Sequence, residues 1–182
     1  MKRFASVTFD GVLAACERDD AARSIGSFGA TATSWHDALG RTYASATCAR
    51  SVDLEAARTV IGARFDIPAL LVWRIVPRFA DRIAPLADAL AGAGGLACVR
   101  DVRTDARELV VECDATGMSP LLLLALVDIE VGGRALRTIE PLVALDDTTL
   151  ARIAGATLRE PDLDASRLIE TYLEPLLAGT NA

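Results

Sequence analysis

The sequence is nearly devoid of the side chains that carry most protein chemistry. Its 182 residues hold a single His (His36), a single Lys (Lys2), a single Asn (Asn181) and no Gln. General bases, metal sites and nucleic-acid readers draw heavily on those residue types. A zinc site would need the lone His together with thiols or carboxylates from distant segments, so no metal and no cofactor is expected. Nucleotide-binding, kinase, hydrolase-elbow and zincin motifs are all missing. So are long apolar runs. The stretch Leu121 to Val127 is seven residues, well short of a membrane span. The N-terminus reaches Asp10 before any long apolar run, which does not fit a signal peptide. Cys16, Cys48, Cys98 and Cys113 show no C-x-x-C spacing and read as reduced, buried thiols.

Apolar residues make up 52% of the chain, enough for a sizeable core. Eighteen Arg stand against one Lys, spread evenly along the chain, which points to genome composition rather than to chemistry. The net charge is −6 and the pI about 4.8. Phosphate backbones and anionic membranes are held by clustered cations, so neither nucleic acid nor membrane is an expected partner. The acidic balance fits a soluble cytoplasmic protein.

The order of elements is more informative. Residues 4–9 alternate in period two and predict a strand. Residues 11–23 predict a helix with Cys16 on its apolar side, broken by Gly26 and Gly29. Residues 30–36 and 41–48 form a hairpin about the turn at 37–40. Asp53 is a suitable N-cap for a helix reaching about Phe65. The apolar run 69–76, bounded by Pro68 and Pro77, predicts a buried strand. The first 76 residues therefore read as α+β, in the ferredoxin-like order β-α-β-β-α-β.

A second α+β unit over 77–182 is expected to pack with the first as one compact body. It opens with a helix over 77–93 bearing Phe79, Ile83, Leu86 and Leu90. A hairpin of 96–102 and 107–113 follows, with Leu96, Cys98, Val111 and Cys113 on one face and Asp101, Glu108 and Glu112 on the other. Residues 127–131 and 134–139 form an antiparallel meander about Gly132-Gly133; a helix over 120–131 starting at Ser119-Pro120 is the competing reading. Two C-terminal helices close the chain. A shift of 65 or 66 residues superimposes Gly26 on Gly92, Arg41 on Arg107 and Asp53 on Ser119, a repeat of pattern rather than of identity.

Three groups of residues are candidate sites. His36, Tyr43 and Arg41 share one hairpin and could supply an acid/base pair beside an anion clamp. Arg74, Arg78 and Arg82 recur every four residues and would form a basic stripe if one helix carried them. Asp114, Thr116 and Ser119 lie in a small-residue loop whose N–H groups could face an anion. Each has a plainer reading: a polar hairpin tip, a solvated helix face, a connecting turn.

The β-α-β-β-α-β order resembles that of ACT-type regulatory modules. Asp10-Gly11-Val12-Leu13 is similar to their Gly-containing strand-to-helix turn, though shorter and without its usual Pro. The resemblance covers residues 4–76, and 69–143 in the second unit. It implies a module that binds small effectors at paired interfaces; several unrelated functions share the order. The leading expectation is a non-catalytic protein that binds a small molecule or a protein partner and forms a homodimer. The alternatives are a cofactor-independent acid/base enzyme using Asp, Tyr or His36, and an acidic partner or chaperone of a basic protein.

Overall fold

The computed structural model describes residues 2–49, 51–91, 99–114 and 136–144. The chain divides into two compact units. One comprises Met1–Leu70 with Leu142–Ala144, the other Leu71–Pro141 with Leu145–Ala182. Both are mixed α+β, each built on an antiparallel four-stranded sheet.

The first unit runs β1 (Arg3–Phe9), α1 (Ala15–Ser27), β2 (Ala30–Ala38), β3 (Arg41–Cys48), α2 (Leu54–Ile61) and β4 (Arg64–Asp66). Its strands lie in the order β2-β3-β1-β4, all antiparallel neighbours. Ala5, Val7, Phe9, Ala44, Ala46 and Cys48 face the helices, where Ile25 of α1 and Ala57 of α2 are fully buried against them. The alanines at the centre of β3 let the helices sit close to the sheet.

Local chemistry sets the boundaries. The N–H of Ala14 donates to Glu17 Oε2 at 2.6 Å, so α1 starts at Ala15 rather than at Gly11. It runs past Gly26 to Ser27. Its Cys16 is exposed, a departure from the buried thiol expected of the sequence. Asp53 caps α2 by accepting from the Ala56 N–H at 3.1 Å. That helix ends at Gly62, which adopts a left-handed conformation (φ 68°) and turns the chain four residues sooner than the periodicity predicts. The freed residues form β4, a short edge strand tied to α2 by Arg58, whose Nε donates to the Phe65 carbonyl at 3.1 Å. The β2–β3 hairpin turns on two residues, Leu39 (φ 46°) and Gly40 (φ 77°). Positive φ at both is the primed-turn geometry that matches strand twist.

The second unit runs β5 (Leu71–Pro77), a 3₁₀ turn (Ala80–Arg82), α3 (Ile83–Ala91), β6 (Val99–Thr104), β7 (Leu109–Cys113) and β8 (Leu136–Pro141). Its sheet order is β6-β7-β5-β8. The strand expected to close the first sheet is thus β5 of the second, pairing with β7 and β8. The apolar run 69–76 supplies a strand as expected, but β4 had already filled the edge of the first sheet. Leu71, Trp73 and Ile75 share a face with Leu109, Val111 and Cys113, and all six are buried. Ile83, Leu86 and Leu90 of α3 are buried as the spacing predicts, whereas Phe79, before the helix begins, is 64% exposed. The expected 120–131 helix or hairpin, Gly132-Gly133 and the two C-terminal helices lie outside the described residues.

Candidate functional site

The second face of the first sheet is where the His36 group falls. Register places Ser34, Ser45, Ser6 and Asp66 in one cross-strand row and His36, Tyr43, Thr8 and Arg64 in the next. Sequence alternation would leave this polar face wet. Instead Ser6, Thr8, Tyr43 and Ser45 are all buried. Their burial is tolerated because several hydroxyls accept backbone or guanidinium hydrogens. Ser6 Oγ accepts from the Leu70 N–H at 2.9 Å, and Ser45 Oγ accepts from the Ala144 N–H at 2.7 Å. Arg64 donates to Thr8 Oγ1 at 3.2 Å. Leu70 and the 142–144 segment of the first unit are thereby fastened to this face.

His36 stands directly opposite Tyr43, while Arg41 stands opposite Ala38. All three share a face, yet they are differently placed. His36 is exposed, Tyr43 is fully buried, and Arg41 donates through Nε to Asp10 Oδ1 at 3.0 Å. The arginines at 74, 78 and 82 do not share a helix. Arg74 is in β5, Arg78 in the following bend, Arg82 in the 3₁₀ turn. Pro77 separates them, and Arg74 pairs with Glu140 at 2.8 Å and Glu108 at 3.3 Å. Asp114 accepts from Nε of Arg100 at 2.9 Å and pairs with one of its terminal nitrogens at 2.7 Å. Thr116 and Ser119 lie outside the described residues.

A concave feature lies elsewhere among the described residues, beside the strand-to-helix turn Asp10–Ala14. A cleft of about 390 Å³ opens between that turn, α1 and the C-terminal end of α2. Phe9, Leu13, Ala21 and Ile61 form an apolar floor; Asp10, Glu17 and Asp20 stand on the rim. Gly11, at φ 142°, takes a backbone conformation closed to L side chains. A closed ring of hydrogen bonds then fixes Leu13. Its N–H donates to Thr42 Oγ1 at 2.9 Å; the Thr42 hydroxyl donates to Asp37 Oδ1 at 2.7 Å. Arg18 bridges Asp37 and, through Nε at 3.1 Å, the Leu13 carbonyl. Thr42 is fully buried, while Arg18 and Asp37 remain partly exposed, so the ring is shielded from water at its Thr42 side. The turn was visible in the sequence as Asp10-Gly11. Its tether was not, because Thr42 is 29 residues away and needs the hairpin register to reach it.

Among the described residues no group of His, Cys, Asp and Glu is arranged to hold a metal ion, and no helix is long and apolar enough to cross a membrane. Cys48 has its thiol pushed above the usual range, chiefly by burial, with the Arg3 charge opposing.

No family model matches the chain, and no curated protein does. Among solved structures it is similar to a microcompartment protein from Desulfitobacterium hafniense, at 14% identity and TM-score 0.32, over 84% of this chain and 99% of that one. It is also similar to a protein from Bacteroides thetaiotaomicron, at 9% identity and TM-score 0.28, over 78% of this chain and 92% of that one. At such TM-scores neither neighbour bears on fold or function.

Proposed function

We propose that this chain is a non-catalytic, cytoplasmic binding protein, ferredoxin-like in its first unit, that self-associates and takes a small cationic molecule beside the Asp10–Ala14 turn. The cleft carries this reading. It combines an apolar floor with a few convergent polar groups, the usual make-up of a small-molecule site. Its three ionisable lining residues are all carboxylates, of which Asp10 is paired with Arg41 and Asp20 with Arg23, so a compact amine or guanidine would bind by taking the place of one of those arginines. The tether through Thr42, Asp37 and Arg18 supports it further, since a turn held in place loses little entropy on binding. Tyr43 is fully buried and Arg41 is held by Asp10, which favours binding over acid/base chemistry at the hairpin.

The test is a thermal-shift panel of putrescine, agmatine, arginine and ethanolamine against isosteric neutral and anionic controls. Cations are expected to raise Tm in a saturable way, and Asp20→Asn combined with Glu17→Gln should abolish the shift. Amide resonances of residues 9–24 should move on titration. If no cation raises Tm, or if shifts survive the double substitution, the cleft is not the site.

A further inference from the structure

We infer that strand β2 is the edge by which this chain pairs with a second copy of itself. The inference rests on the self-association in the reading above and gives it a location. The two sheets have four outer strands among the described residues, and they differ sharply in how they are defended. Natural edges avoid open-ended pairing by being short, charged, bulged or interrupted by Pro. β4 is three residues long and carries Arg64 and Asp66. β6 carries Arg100, Asp101 and Arg103. β8 carries Arg137 and Glu140 and ends in Pro141. β2 is nine residues long and has no Lys, Arg, Glu or Pro. Its one carboxylate, Asp37, is bound by Arg18 and Thr42 of its own chain. Thr31, Thr33 and His36 are exposed along it.

A second copy suits this edge better than a foreign strand because β2 is compatible with itself. A bulge lies between Ala32 and Ser34, where the Thr33 hydroxyl donates back to the Ser45 carbonyl at 3.2 Å. The regular run is therefore Ser34 to Ala38. Antiparallel pairing of two such runs about a two-fold axis centres on His36. Ser34 then meets Ala38 and Asp37 meets Trp35, so no carboxylates oppose each other. The result would be one continuous eight-stranded antiparallel sheet, with main-chain hydrogen bonds joining the copies.

The test is sedimentation equilibrium on the full chain over a hundredfold range of micromolar concentrations, with far-UV circular dichroism to confirm folding. The wild type is expected to be a dimer. His36→Lys and His36→Glu each place like charges opposite one another at the axis and should weaken dimerisation by about fivefold. An equimolar mixture of the two variants should regain wild-type affinity as a heterodimer. In a Cys16→Ser background, His36→Cys should form an intermolecular disulfide on mild oxidation, and Arg64→Cys on the opposite edge should not. A wild type that is monomeric throughout would overturn the self-association itself and leave the cleft untouched. A dimer that is indifferent to both charge variants, or that cross-links only through Arg64→Cys, would overturn the β2 edge alone.

Discussion

The two units arrange their strands alike, as β2-β3-β1-β4 and β6-β7-β5-β8, yet they fill the second face of that sheet with different chemistry. In the first it is a hydroxyl face: Ser6, Ser45, Thr8 and Tyr43, all buried. In the second it mixes buried valines with charges. Val72 and Val110 are buried beside Arg74, which lies opposite Glu140, and beside the fully buried Glu112, which lies opposite a second carboxylate, Asp101. Neutral hydroxyls can be satisfied one at a time by backbone N–H groups, as Leu70 and Ala144 do here. Charges cost far more to bury and need compensating groups close by. One strand order therefore accommodates two solutions. Strand order is what the two units share; Gly92 and Ser119, on which the pattern repeat at 65 or 66 residues rests, lie outside the described residues.

The largest effects should come from the cores, where the units are most alike. Phe65→Ala in the first and Trp73→Ala in the second remove side chains that are at most 1% exposed. Each should cost about 3–5 kcal/mol in urea denaturation. A loss below about 1 kcal/mol at either position would mean that the corresponding sheet does not pack as described.

The faces should separate under the next pair of substitutions. Ser6→Ala strands the Leu70 N–H in a buried site and should cost about 1–3 kcal/mol, independent of salt. Arg74→Gln removes ion pairs to Glu108 and Glu140 whose partners are partly solvated. It should cost about 1 kcal/mol or less, and that cost should shrink at high salt. Equal salt dependence for the two would erase the distinction between a hydroxyl face and one that carries charges.

How much of this was legible beforehand depends on the range of the signal. The first strand, the β2–β3 hairpin and the Asp53 cap are written in local alternation and turn chemistry, and they appear where the pattern puts them. β4 was not legible, because three residues are too few to show a period, and overlooking Gly62 as a stop runs the preceding helix over them. The stripe of Arg74, Arg78 and Arg82 presupposes a helix through Pro77, which the ring of Pro77 and its neighbours resist. The burial of Glu112 and Ser6 was likewise illegible, because alternation reports which face a residue is on, not whether something covers that face. The cleft falls between these cases. Asp10-Gly11 announces a turn, but only the register of a distant hairpin brings Thr42 beneath it.

The smallest effects lie in the hairpin turns, where the units differ again. The first turn places Leu39 at φ 46°, a region where a leucine is strained and an asparagine is at ease. Leu39→Asn should therefore stabilise the protein, by up to about 1 kcal/mol. The second turn is built from a side chain. Asp105 Oδ1 accepts from the N–H groups of Arg107 at 2.7 Å and Glu108 at 2.9 Å. Those two hydrogen bonds hold its carboxyl below the usual aspartate range. The unfolded chain then binds the proton more readily than the folded one, so stability rises with pH across this titration. The contribution is complete above the ordinary aspartate value of 3.8 and disappears as pH falls through the lower native value. Since the carboxylate is exposed, the effect should be small, and it is best read by NMR. The Asp105 carboxyl should titrate below the other exposed aspartates, and the amide shifts of Arg107 and Glu108 should follow the same curve. If those amides follow instead the curve of an ordinary aspartate, the second turn is not held by its side chain, and the two hairpins do not differ in the way proposed.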